Sequence, residues 1–357
     1  MKTAAAKYQF CIRFNKVDVN SAASKAVLDC NAIFLQQGYK DFTFTVADNS
    51  NRAWYYILLL KNLLRFCFAI KPWSVVGVQY PLLSINNVFK YFIKLTRLKG
   101  VKYFCIIHDL DSLRTGGTDA NLIRKEIMNL NCYDCVIAHN SFMVNWLKTN
   151  GLTAKIIALE VFDYLSPDFK PAEKSYAEKQ IVYAGNLIKS KFVYALPQIK
   201  NWHFKIYGPN YIAQNAKEHV NLQWEGQFSP EEIAGRLEGN FGLIWDGTSI
   251  DKCDEVLGNY LRYNNPHKFS LYIAAGLPVI APQDSAIGAM ITSLNIGVLV
   301  NDLHDLEQVK INEDDYELMR TNILNFRKKI TTGFYFREAI NSVESVLESV
   351  NQDQVDF

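Results

Sequence analysis

In the stretch IHDLDSLR, Asp109 and Asp111 stand two residues apart, with His108 before them and Arg114 behind. The preceding Tyr103 to Ile107 reads as a buried strand, and side chains at the carboxyl end of such a strand project into a cleft. A carboxylate there can take a proton from a substrate hydroxyl, whereas two at this spacing can instead hold a divalent metal. Loop caps with a salt bridge to Arg114 are the ordinary alternative. A second stretch, NNPHKFSLYIAAGLP from Asn264 to Pro278, sets Asn264, Asn265, His267 and Lys268 around Pro266, followed by apolar residues at helical spacing. Pro266 suits the entry to a helix. The free N–H groups and positive dipole end of a helix start attract an anion, and Lys268 adds a mobile positive charge at the same place. This is a seat for a diphosphate, set against the plainer reading of a capped helix with a solvated lysine.

Both stretches need elements that bring them to a sheet edge, and the chain alternates strand-like and helix-like segments throughout. Tyr8 to Phe14 reads as a first strand, followed by a polar small-residue loop, Val19 to Lys25, and a helix from Ala26 to Gln36. DFTFTVAD alternates as a strand, and Val75 to Gln79 and Cys135 to Ala138 are further buried strands, the latter leading to a helix through His139 and Asn140. From Val161 to Ser175 periodicity is lost and two prolines appear, which marks a linker. A second α/β unit then begins. Ile181 to Ala184 feeds GNLIKSK, where Gly185 permits close backbone approach and Lys189 and Lys191 are available for phosphate. Phe204 to Tyr207 ends in YGPN, and Gly242 to Trp245 ends in DGTS, which brings Asp246 to the same edge. Four consecutive strand ends thus offer small, polar or cationic residues, an arrangement suited to a nucleotide. Residues 331–350 form an amphipathic final helix.

Length and composition agree with this division. At 357 residues the chain exceeds usual single-domain size, and 49% apolar residues suffice for two cores. A net charge of +2 lacks the strongly basic footprint of a nucleic-acid binder. Seven scattered cysteines point to reduced thiols in the cytoplasm, and the single CxxC at Cys132 and Cys135 lacks the second ligand pair of a zinc site. The N-terminus has no apolar run of the secretory kind. Trp54 to Ile70 is the most apolar segment, short for a membrane span and broken by Lys61, Asn62 and Arg65. It reads either as a core helix or as a helix lying on the bilayer surface, the second supported by the acid-free basic run from Lys90 to Lys102. A charge run is more often a solvated helix face.

IHDLDSLR, the FDYL of the linker, YAGNL, FGLIWDGTS, NNPHKFSLYIAAGLPVI and TTGFYFRE, in this order, resemble the bacterial β-1,6-galactofuranosyltransferases of O-antigen synthesis. They are also similar to the glucosyltransferase 3 group that glycosylates serine-rich adhesins. The resemblance spans nearly the whole chain and implies an α/β protein of the GT-B architecture. Residues 1–165 would be an acceptor domain, 176–330 a donor domain facing it across a cleft, and 331–350 a helix returning to the first. It implies transfer from a UDP-sugar, galactofuranose favoured and glucose next, to a hydroxyl of a lipid- or protein-linked glycan in cell-surface synthesis. Gly185, Asn186, Tyr207, Asp246, Asn265, His267, Lys268 and Ser270 would contact the donor. Ser21, Lys25 and Arg114 would line the acceptor side. Asp109 or Asp111, with His108 beside them, would serve catalysis with inversion, Lys268 and the helix start replacing a metal at the leaving diphosphate. A homo-oligomer at the cytoplasmic face of the membrane completes the expectation. The rivals are a metal-dependent transferase using Asp109 and Asp111, a retaining enzyme of the same architecture, and a catalytically silent partner of another transferase.

Overall fold

The computed structural model describes residues 5–14, 22–46, 52–82, 85–166, 169, 171, 176, 179–213 and 219–352. Twelve strands form two parallel sheets among the described residues. The first contains β1 (Lys7–Phe14), β2 (Lys40–Val46), β3 (Val75–Tyr80), β4 (Lys102–Ile107), β5 (Cys135–Ala138) and β6 (Lys155–Ala158), in the order β2-β1-β3-β4-β5-β6. The second contains β7 (Gln180–Ala184), β8 (His203–Tyr207), β9 (Leu222–Trp224), β10 (Phe241–Leu243), β11 (Val279–Pro282) and β12 (Gly297–Val300), in the order β12-β11-β10-β7-β8-β9. Inner strands such as VVGVQY and KYFCII are apolar almost throughout because helices cover both faces. In each sheet the chain leaves its first strand to one side and later returns to the other. Crevices therefore open at the carboxyl ends of β1 and β3 and of β7 and β10, where open α/β sheets bind ligands.

The helices of the first unit are α1 (Ala22–Gln36), α2 (Arg52–Ala69), α3 (Asn86–Arg97), α4 (Asp111–Arg114), α5 (Ala120–Leu130) and α6 (Ser141–Thr149). Those of the second are α7 (Ile233–Arg236), α8 (Val256–Tyr260), α9 (His267–Ala274), α10 (Gly288–Leu294) and α11 (Glu313–Ile330), and α12 (Phe334–Gln352) is the last element among the described residues. α1 begins at Ala22, so Lys25 lies in its first turn and not in the loop expected there; residues 15–21, Ser21 among them, lie outside the described residues. α2, α3, α5 and α6 share one face of the first sheet, where Phe66, Phe89, Ile127 and Met143 are buried together. The opposite face packs against α1 and the final helix, with Phe34, Phe104, Phe336 and Ile340 in one cluster. Lys7 and the Tyr39 hydroxyl both donate to Glu344 at 2.7 and 2.8 Å, which fastens α12 to the first unit.

The aperiodic segment after β6 is buried at its start and joins three parts of the molecule. The Glu160 carbonyl accepts from Asn265 at 2.8 Å and the Phe162 carbonyl from the Ser270 hydroxyl at 2.6 Å, both across to the second unit. The Asp163 carboxylate accepts from the backbone N–H of Tyr335 at 3.1 Å and of Phe336 at 2.7 Å, which satisfies the start of α12.

Burial raises the pKa of Asp163 to about 7 despite those two N–H donors. A carboxyl that binds its proton more tightly when folded adds stability at low pH, and this contribution is lost as pH rises from about 4 to about 7. Asp163→Asn lacks that loss. The stability of the variant relative to the parent should therefore rise by a few kcal/mol across this window and stay flat above it. Melting temperatures measured across the pH range test this, and a pH-independent difference would contradict it.

Candidate active site

The carboxyl ends of β7 and β10 are pried apart by a side chain from α9. Tyr272 accepts from the Ala184 N–H at 2.9 Å and donates to the Leu243 carbonyl at 3.1 Å, so its hydroxyl sits between the two strands. Gly242 makes this possible, since a Cβ there would overlap the Tyr272 ring. α9 starts at His267 after an extended Pro266, and no side chain caps it. One residue into the helix, the Lys268 ammonium turns back onto the strand ends. It donates to Asp246 Oδ1 at 2.6 Å, to the Tyr183 hydroxyl at 2.8 Å and to the Trp245 carbonyl at 3.3 Å. All three of its donors are used, so the mobile charge expected from sequence is a fixed one. Burial is the largest single influence and opposes the charge, but the Asp246 carboxylate together with the Tyr183 and Tyr272 oxygens outweighs it and raises the Lys268 pKa.

Gly185 and Gly208 let two loops close over this ammonium. A Cβ at Gly185 would lie 2.9 Å from the Tyr183 hydroxyl and 3.2 Å from Lys268 Cε. One at Gly208, whose φ is +136°, would overlap the Gly185 carbonyl. The Gly185 N–H donates to the Tyr207 carbonyl at 3.0 Å, and Asn186 accepts from Asn210 at 3.0 Å. Tyr207 itself points into the core of its unit, its hydroxyl accepting from the Glu238 N–H. Only its backbone reaches the strand end.

Across the cleft, IHDLDSLR is shaped by a buried glutamate that sequence reasoning did not single out. Glu126 on α5 accepts from the N–H groups of Asp111 at 2.9 Å and Ser112 at 3.1 Å, and from the Ser112 hydroxyl. It caps α4 from outside, which frees Asp109 and Asp111 from that task. Arg114 lies between the two, 3.4 Å from Asp109 and 3.7 Å from Asp111. Tyr260, from α8 of the second unit, accepts from the Leu110 N–H and donates to Asp109 Oδ1, both at 3.2 Å. Burial raises the Asp109 pKa, offset in part by Arg114, by the Tyr260 hydroxyl and by Lys189, whose charge reaches it from the loop after β7. The structure thus brings together Asp109, Arg114, Tyr260 and, through its charge, Lys189, while Asp246 and Lys268 form a separate pair at the strand ends of the second sheet.

The remaining expected residues form the seam between the units. Asn265 donates to the His139 and Glu160 carbonyls at 2.6 and 2.8 Å, its own N–H donates to His139 Nδ1 at 3.0 Å, and its Oδ1 accepts from Asn140 at 2.7 Å. With Ser270 it holds the first unit in register. Phe162 is the centre of a ring cluster, with His108 at 5.7 Å, His139 at 4.9 Å and His267 at 5.2 Å. Burial drops these imidazoles to about 3, 4 and 3 respectively, so all are neutral near pH 7. His108 Nε2 pairs with Gln79 at 2.8 Å, while His108 Nδ1 and both ring nitrogens of His267 are buried without a partner among the described residues. Lys25 is turned inward, paired with Asp29 and donating to the Leu165 carbonyl at 2.6 Å, and so ties α1 to the linker.

Residues 9–161 match the family model described as glucosyltransferase 3-like, N-terminal domain, and residues 181–343 the model of its C-terminal domain. The chain belongs to the glucosyltransferase 3-like family. It is 32% identical to the β-1,6-galactofuranosyltransferase WbbI of Escherichia coli (strain K12) over 79% of this chain and 82% of that protein. It is 26% identical to glucosyltransferase 3 of Streptococcus parasanguinis over 82% and 84%. Among solved structures, an α,α-trehalose 6-phosphate synthase from Burkholderia multivorans superposes with a TM-score of 0.61 over 98% of both chains at 10% identity. The pneumococcal O-GlcNAc transferase GtfA, solved with UDP and GlcNAc, gives 0.51 over 80% of this chain and 60% of that one at 15% identity. These two likenesses are of fold, and the fold of this family member is GT-B. The chain is a glycosyltransferase.

Tyr260→Phe removes a hydrogen bond that holds the Asp109 pKa down. An activity that needs Asp109 ionised fails as pH falls through that pKa, so the acid limb of kcat/KM should move to higher pH in the variant. The pH–rate profiles of both proteins measure this, and coincident acid limbs would contradict the assigned hydrogen bond.

Proposed function

We propose that this glycosyltransferase moves a sugar from a UDP-sugar to a hydroxyl of a glycan acceptor with inversion, in cell-surface polysaccharide or glycoprotein synthesis. Galactofuranose is favoured and glucose next, in the order of identity to the two named relatives. The observation that carries the reading is the fixed Lys268 ammonium at the uncapped start of α9. It lies at the switch point of the second sheet, with Asp109 on the opposite side of the cleft. Asp109 accepts the proton of the acceptor hydroxyl while that oxygen bonds to the anomeric carbon. The bond from this carbon to the diphosphate breaks, and UDP leaves with the electron pair. Lys268 and the first N–H groups of α9 stabilise the charge that grows on the diphosphate. His267, whose two ring nitrogens have no partner among the described residues, offers a further neutral hydrogen-bonding group.

No step in this scheme requires a metal. Arg114 lies between Asp109 and Asp111, and a divalent ion bridging those carboxylates would have to displace it. A raised Asp109 pKa suits a general base, which works best near the operating pH. Reduced cysteines support a cytoplasmic setting.

The test is transfer by the purified protein from UDP-galactofuranose and UDP-glucose, with the anomeric configuration of the product read by NMR. Inversion is expected, and Asp109→Asn should lower kcat by about 10²- to 10⁴-fold with donor affinity little changed. Retention of configuration, or full turnover in Asp109→Asn, would overturn the proposal.

A further inference from the structure

From Asn49 to His108 the chain contains nine Lys or Arg and no Asp or Glu. Much of this stretch folds into α2 and α3, which lie side by side on the same face of the first sheet as α5. Their buried residues face that sheet, so their outer faces look the same way, outward. Each outer face carries an apolar stripe. On α2, Ile57, Leu60, Leu64 and Phe68 are exposed at successive turns, Phe68 by 83%. On α3, Val88, Tyr91 and Leu95 repeat the pattern, continued by Leu98 just past its end, exposed by 85%. An isolated exposed leucine needs no explanation, but two adjacent stripes of large side chains form a patch of the kind found at interaction surfaces.

The patch has a cationic rim. Lys61 and Arg65 flank the α2 stripe, and Lys94 and Lys99 the α3 stripe, all exposed. Between α3 and α5 lies an open cavity of about 260 Å³ lined by Lys90, Arg124, Lys125, Asn87, Asn121, Asn129 and Met128, three cations, three amides and one thioether with no acid. Such a cleft fits a phosphate group, held by cations and by amide donors. Apolar side chains at the centre with positive charge around them are what the interfacial region of an anionic bilayer selects. A second copy of this chain fits less well, because a self-complementary contact would bring two basic rims face to face.

We propose that the outer face of α2, α3 and α5 seats the protein on an anionic lipid bilayer. The two apolar stripes enter the headgroup boundary, and lipid phosphates occupy the cleft between α3 and α5. This face belongs to the acceptor side of the cleft, so docking would bring the Asp109 loop to a membrane-held acceptor. The proposal stands apart from the donor chemistry, and UDP binding serves as its independent control.

The experiment is flotation of the full chain with phosphatidylcholine vesicles, with and without phosphatidylglycerol, at low and high salt. Two double variants accompany it, Lys61→Glu with Arg65→Glu and Leu64→Glu with Phe68→Ser, all at exposed positions. The parent should float with the anionic vesicles at low salt, less at high salt, and little with phosphatidylcholine alone. Each double variant should partition about tenfold less or weaker still, while binding UDP as the parent does. Absence from the anionic vesicles at low salt would overturn the proposal, as would flotation unchanged in both variants. Vesicle-free self-association of the parent, abolished by the Leu64→Glu pair, would assign the face to a second copy instead and equally overturn it.

Discussion

An ammonium group withdrawn from water must find a partner for each of its three N–H donors, and most of the second unit's strand-end geometry follows from meeting that requirement at Lys268. Asp246 supplies the charge, the Tyr183 hydroxyl and the Trp245 carbonyl supply the rest, and the Ser190 hydroxyl in turn pairs with Tyr183. Room for the side chain comes from Gly185, and room for the Gly185 carbonyl from Gly208. Removing one partner of such a buried pair is costly because the other charge is left without compensation. The result is a cation held in place before any anion arrives, which favours charge developing there over charge that must recruit its own partners.

The two chemical groups lie on different units, so their usefulness depends on the seam. Asn265 and Ser270, immediately around the helix that carries Lys268, are bonded to the chain of the first unit. Tyr260 extends from the second unit into the core of the first and meets Asp109 there. Phe162, held by the same segment, fills the space among three neutral histidines. Asp109, the proposed base, and the Lys268 cation are therefore registered against each other by polar contacts at the seam as well as by the linker. The final helix adds a second covalent return, anchored at its start by Asp163.

Buried inner strands were legible because they are continuous apolar runs ended by glycine or polar residues, as at YAGNL and FGLIWDGTS. The edge strands β6, β9 and β12 were not. They are three or four residues long and only partly buried, so neither alternation nor an apolar run distinguishes them. Lys268, Asp246 and Gly185 could be gathered to one edge because each follows a readable strand or opens a readable helix. Glu126 and Tyr260 could not, since their roles arise from contacts 15 and 151 positions away in sequence with Asp111 and Asp109. The family resemblance set Lys25 in a loop on the acceptor side. Folding places it in the first turn of α1, where Asp29 one turn on and a linker carbonyl consume its donors.

The central claim, a fixed cation that receives a nucleotide diphosphate without a metal, is tested most directly by calorimetric titration of the purified chain with UDP, with and without excess chelator, repeated on Lys268→Ala. The account predicts binding that is unchanged by chelator and lost in the variant, with circular dichroism showing both proteins folded. Binding that requires added metal, or that persists undiminished in folded Lys268→Ala, would contradict it.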